Sequence, residues 1–164
     1  MKYCLPLLFF FLASCGHTYY IVRHAEKTAP GTNMTSDVPL SPEGKQRALE
    51  LKEVLRNKRI AHIYSTNTIR TRSTAQPTAD YFGLKTEIYG PKPDSVFIAL
   101  LKSKTKNILV VGHSNTVDDV VNMLCGRKVV NGDLPETDYD NLFTVKKRGS
   151  RYIFRGLTYG RPTQ

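Results

Sequence analysis

Residues 19–23 and 107–111 are short runs of aromatic, β-branched and aliphatic residues with little polar interruption. Their length and composition suit strands buried on both faces of a parallel sheet. A third such run covers 61–65, and a weaker fourth covers 85–89. Between the runs the period changes. Ala48, Leu51, Val54 and Leu55 form an apolar stripe at helical spacing, with Ser41 placed as N-cap and Pro42 in the first turn. A second helix is predicted from about 70 to 82, ended by Gly83, and a short third over 94–101. Thr116-Val117-Asp118-Asp119 has capping-box spacing ahead of the apolar residues 120–124 and predicts a fourth. Runs 142–147 and 152–157 flank Arg148-Gly149-Ser150 and read as a hairpin. Alternating strands and helices followed by a hairpin predict a three-layer α/β/α fold, with a mostly parallel sheet, helices on both faces and a C-terminal β-hairpin.

The first residues follow a different pattern. Lys2 precedes a short apolar run over 5–12, and Leu12-Ala13-Ser14-Cys15 ends it with small residues before a cysteine. The run is too short to span a bilayer comfortably as a helix. It resembles a bacterial lipoprotein signal. The expected organisation is therefore a signal peptide over 1–14, a tether over 15–18 lipidated at Cys15, and a single domain over 19–164. The expected location is the cell envelope, as a periplasmic lipoprotein held to a membrane by its N-terminal lipid. An ordinary secretory signal cut nearby is the alternative. His17 falls in the expected tether. Cys125, the cysteine left inside the domain, sits among apolar residues and reads as a packing residue, with neither a disulfide framework nor zinc spacing around it.

Net charge is +10, or +9 once Lys2 is removed with the signal. The excess is uneven, because Lys146, Lys147, Arg148, Arg151, Arg155 and Arg161 follow Asp140 with no acidic residue among them. Such a surface attracts phosphorylated solutes, anionic lipid or acidic polymers, although a solvated basic hairpin without a partner has the same composition. No helix-turn-helix, zinc or aromatic ribonucleoprotein signature accompanies the charge, so no nucleic-acid partner is expected.

The candidate chemistry lies at the ends of the predicted strands, where α/β sheets place their ligands. Arg23-His24-Ala25-Glu26 closes the first strand, and Gly112-His113-Ser114 closes the strand over 107–111. Between them, Ser65-Thr66 is followed by Arg70 and by Thr74-Ala75, while Leu40-Ser41-Pro42-Glu43-Gly44 opens the first helix. In this order and spacing the four motifs resemble the histidine phosphatase superfamily, the phosphoglycerate mutase-like proteins, over roughly residues 19–145. The resemblance implies His24 as the nucleophile that accepts a phosphoryl group, with Arg23, Arg70 and His113 binding the phosphate. It implies no metal and no cofactor. Arg72 competes with Arg70, but the offsets from Ser65 and to Thr74-Ala75 select Arg70. His62 lies inside a strand without a motif partner and reads as structural.

Departures from the family pattern sharpen the expectation. Lys27 and Pro30 stand where mutase-like members often carry serine and asparagine, and Ser114 stands where the acid-phosphatase branch carries aspartate. Only residues 83–93 separate the second helix from the third, so the long mutase segment with its catalytic glutamate is missing. This counts against a mutase and resembles the small branch that includes phosphohistidine phosphatases. It also leaves the proton donor open between Asp94, the preferred candidate, and Glu26. The expected activity is hydrolysis of phosphomonoesters or phosphohistidine by a metal-independent phosphatase, its partner a small phosphorylated substrate or a phosphoprotein. The alternative is a non-catalytic phosphate-binding envelope lipoprotein on the same fold.

Overall fold

The structure is a computed structural model that describes residues 16–29 and 37–163. The expected signal peptide, the lipidation site Cys15 and Pro30 lie outside the described residues.

Among the described residues, ten elements follow the order the pattern predicts: β1 (His17–Arg23), α1 (Pro42–Leu55), β2 (Ile60–Thr66), α2 (Ile69–Phe82), β3 (Thr86–Tyr89), α3 (Ser95–Ser103), β4 (Asn107–Gly112), α4 (Val117–Cys125), β5 (Asn141–Arg148) and β6 (Arg151–Thr158). They form one six-stranded sheet in the order β3-β2-β4-β1-β5-β6. The pairs β2–β3, β2–β4 and β1–β4 are parallel, and β5 and β6 add antiparallel to the edge of β1. A long crossover is what parallel neighbours require, and each crossover here carries a helix.

The period-two alternation of the central strands divides the core into two layers. Tyr19, Ile21, Ile108 and Val110 face α3 and α4, where they bury Phe97, Ile98, Leu101, Val120, Val121 and Leu124. Tyr20, Val22, Ile63, Leu109 and Val111 face the other way and pack against Leu51 and Leu55 of α1 and Ala75 and Ala79 of α2. Each fully buried aliphatic side chain contributes roughly 1.5–3 kcal/mol.

Three local expectations are corrected. β1 begins at His17, two residues early; His17 is buried, its Nε2 lies 2.9 Å from the Tyr19 hydroxyl, and it pairs in register with Lys147, so it is a strand residue and not tether. Val54 of the expected apolar stripe is 39 % exposed, and Arg47 is buried in that helix instead. Thr116 does precede α4 but makes no side-chain cap bond, because its hydroxyl is engaged with the backbone of His113. Cys125 is half-buried and packs against the core margin.

Candidate active site

The parallel register sets Arg23 opposite Gly112 and Ser65 opposite Val111, so the carboxyl ends of β1, β4 and β2 finish side by side. Whatever follows each strand therefore converges on one place. His24 follows β1, Arg70 opens α2 after β2, and His113 follows β4. All three line a cavity of about 630 Å³, together with Lys27, Lys92, Ser114, Asp133 and Glu136.

His24 is 3 % exposed, and its backbone N–H donates to the Gly112 carbonyl at 2.9 Å, extending the ladder by one step. Its Nδ1 lies 2.8 Å from the Ala25 carbonyl oxygen. A carbonyl only accepts, so Nδ1 carries the proton and Nε2 keeps its lone pair. The turn is held from α2, where Thr74 Oγ1 accepts from the Ala25 N–H at 2.9 Å and donates to the Arg70 carbonyl at 2.8 Å. It is held from α1 as well. Ser41, whose hydroxyl caps α1 by accepting from Gly44 N–H, also donates its own N–H to the Glu26 carbonyl at 2.9 Å. A Cβ at Gly44 would collide with that same Glu26 carbonyl, which accounts for glycine in the Leu40-Ser41-Pro42-Glu43-Gly44 motif.

His113 stands beside His24, the ring centroids 5.5 Å apart at 70°. Its Nδ1 lies 3.4 Å from Arg70 Nη2, and since a guanidinium only donates, Nδ1 is the acceptor. The proton on Nε2 then points to Thr66 Oγ1 at 2.8 Å, whose own proton goes to Thr71. Arg70 Nη1 also lies 3.5 Å from Asp37, which accepts from the Ile69 N–H at the start of α2. Burial pushes the His24 pKa down to about 3, against the opposing effect of the Ala25 carbonyl and with help from the charges of Arg23 and Arg70. Burial, then Arg70 and Arg23, hold His113 at about 4. Both imidazoles are neutral at pH 7.

Arg23 is placed beside this cavity and not on its wall. It is 2 % exposed, and its Nη1 donates to the carbonyls of Pro135 and Asp138 at 2.6 and 3.0 Å. Its Nη2 meets Glu136 at 3.2 Å, and its guanidinium lies 4.1 Å over the Tyr139 ring. Arg23 thus anchors the 135–139 segment over the site while adding positive charge beneath it.

The two proton-donor candidates also lie off the cavity wall. The Asp94 carboxylate is the N-cap of α3, accepting from Phe97 N–H at 2.7 Å. Glu26 is paired with the buried Arg47 at 2.7 Å and borders a neighbouring cleft. The carboxylates that do reach the wall are Asp133 and Glu136. Glu136 sits 3.2 Å from Arg23, 3.6 Å from Lys27 and 3.3 Å from Ser114 Oγ. Partial burial raises its pKa, but these cations and donors outweigh that and hold the carboxyl below its ordinary value. Its sequence signal is the acidic cluster Asp133, Glu136, Asp138 and Asp140 inside an otherwise basic chain. Among the described residues, no group of three or more His, Cys, Asp and Glu is placed to hold a metal.

Residues 19–89 match the family model of the histidine phosphatase superfamily (branch 1). No curated protein matches the chain in sequence. Among solved structures, it is similar to a candidate phosphohistidine phosphatase, SixA, from Agrobacterium tumefaciens, with 19 % identity and a TM-score of 0.66 over 89 % of this chain and 98 % of that one. It is also similar to a mycobacterial glucosyl-3-phosphoglycerate phosphatase (13 % identity, TM-score 0.65, 89 % of this chain and 99 % of that one). A phosphoserine phosphatase from Entamoeba histolytica shares the fold at 15 % identity and a TM-score of 0.61, over 88 % of this chain and 97 % of that one.

Proposed function

We propose that this chain, whose residues 19–89 match the histidine phosphatase superfamily and whose fold is shared by solved phosphatases, hydrolyses small phosphomonoesters or phosphohistidine through a phosphohistidine formed on His24. The observation that carries the reading is the state of His24: neutral, with Nδ1 pinned to the Ala25 carbonyl and Nε2 left with a lone pair beside His113 and Arg70. In the first step Nε2 attacks phosphorus, the new N–P bond forms and the bond to the leaving group breaks, P–O in a phosphomonoester and P–N in phosphohistidine. In the second, water attacks phosphorus, inorganic phosphate leaves and the imidazole is restored. Splitting one displacement into two is the gain from a covalent intermediate. The transferring group remains strongly anionic, so positioned positive charge supplies most of the stabilisation. Arg70 and Lys27 supply it from the wall and Arg23 from beneath. The short connection between α2 and α3 supports hydrolysis over a mutase reaction, and the apolar run before Cys15 supports an acylated form in the cell envelope.

Rapid quenching during turnover of a radioactive phosphoryl donor tests this. The chain should carry an acid-labile, base-stable label on His24, and His24→Ala should lose both label and turnover. Turnover should persist in chelator. Stoichiometric phosphate binding without turnover in the wild type would refute the phosphatase in favour of a binding protein.

A further inference from the structure

Among the described residues, helices α1 and α2 cover one face of β1, β2 and β4 but leave the same face of the C-terminal hairpin open. A groove of about 550 Å³ lies there, between the end of α1 and the two hairpin strands. Its floor alternates basic and apolar side chains, with Lys146 and Arg148 on β5 and Ile153, Arg155 and Leu157 on β6. Ile153 is 41 % exposed and Leu157 49 %. The groove's charged residues are Lys58, Lys146, Arg148 and Arg155, with no carboxylate among the described residues that line it. Exposed aliphatic side chains set among these cations complement a surface that is negatively charged outside and apolar just beneath, which is the headgroup layer of an anionic bilayer.

A second, independent observation concerns where the chain enters the fold. Gly16 packs against the Lys147 carbonyl, and β1 pairs His17 with Lys147 and Thr18 with Lys146. The fifteen residues before Gly16, with their apolar run over 5–12, are therefore attached at the basic end of the hairpin. His24 lies at the other end of β1, about 23 Å away at the usual rise of a seven-residue strand. A second copy of the chain is a poor occupant, because it would set these cations against their own counterparts and because Arg151 and Arg155 blunt pairing along the β6 edge.

We propose that the open, basic face of the β5–β6 hairpin rests on an anionic lipid surface, beside the point where the N-terminal segment joins the domain. This holds the His24 cavity off the bilayer and directs it to phosphorylated substrates in the aqueous phase. A preference between two lipid compositions is independent of acylation at Cys15 and of chemistry at His24.

The test is vesicle flotation of the full chain with phosphatidylcholine vesicles, with and without phosphatidylglycerol. Bound protein should increase when phosphatidylglycerol is present, and high salt should remove the increase. Lys146→Gln, Arg148→Gln and Arg155→Gln combined should reduce the phosphatidylglycerol-dependent affinity by about a hundredfold, at the usual worth of a cation near such a surface. Their kcat/KM on p-nitrophenyl phosphate in solution should match the wild type. If the triple variant is unstable, Arg155→Gln alone reads the same effect at about fivefold. His24→Ala should bind vesicles as the wild type does. Equal binding to both vesicle types, undiminished binding by the variants, or a dimer that the variants dissociate would each overturn the proposal.

Discussion

His24 and His113 are held neutral mainly by burial and secondarily by neighbouring guanidinium groups, which gives the site a distinctive pH response. With folded pKa values of about 3 and about 4, neither imidazole of the free enzyme takes a proton until well below the ordinary 6.5. The acid limb of kcat/KM, corrected for ionisation of the substrate, should therefore fall near pH 4 or below. The same shift affects stability. The unfolded chain binds protons on these histidines as pH falls through 6.5, while the folded chain resists, so folding stability declines from pH 6.5 toward pH 3. His24→Gln removes one share of that decline, and its urea midpoint should gain on the wild type between pH 7 and pH 4. The proton donor is a separate question at the same site. Asp94 already satisfies a helix terminus and Glu26 a buried arginine, so Asp94→Asn and Glu26→Gln should not distinguish an alkyl phosphate from p-nitrophenyl phosphate. A selective loss on the alkyl ester of about a hundredfold, the usual general-acid contribution, would identify the substituted residue as the donor. Comparing kcat/KM on the two esters decides it.

The helices support the site by reaching back to the turn after β1. Thr74 of α2 holds Ala25, and the first turn of α1 lies directly on Glu26. This contact determines the sign of a substitution at Gly44. Alanine in a helix is intrinsically better than glycine by roughly 1 kcal/mol. A Cβ here, however, runs into a backbone carbonyl that cannot rotate away, and such overpacking typically costs about 1–3 kcal/mol. Gly44→Ala should therefore lower stability on balance, as a fall in urea midpoint, and should reduce turnover as well because the displaced strand end carries His24. A more stable variant would show that α1 can move away freely.

The whole molecule joins two poles through β1. Its carboxyl end carries the His24 cavity, and its amino end adjoins the basic hairpin and receives the N-terminal segment. No helix among the described residues is long and apolar enough to cross a membrane. The acylation proposed for Cys15 would supply acyl chains, which hold firmly when more than one is present. The wild-type chain should incorporate labelled palmitate and partition with membranes in cells, and Cys15→Ala should lose the label and much of the membrane fraction. Equal partitioning of the two without label would refute acylation.

Much of this was legible in the residues, because the signals involved are local. Strand and helix positions follow from periods of two and 3.6, and the details that differ concern ends or partners, not the kinds of element.

 The mapping of His24, Arg70 and His113 onto strand ends needed only the order of motifs along the chain, and the sheet register then brings them together. What the chain order could not supply was the partner of each charged group. Arg23 matches a phosphate-binding motif, yet its donors go to the 135–138 carbonyls and to Glu136, more than a hundred residues away in sequence. Glu26 lies two residues from His24, yet Arg47 of α1 takes its carboxylate away from the cavity. His17 seemed to belong to a tether until pairing with β5 buried it. Hydrophobic periodicity is a property of neighbouring residues and survives in any window of sequence. The direction in which a long polar side chain points, and the charge it meets there, depend on which distant segment folds against it, and only the tertiary structure decides that.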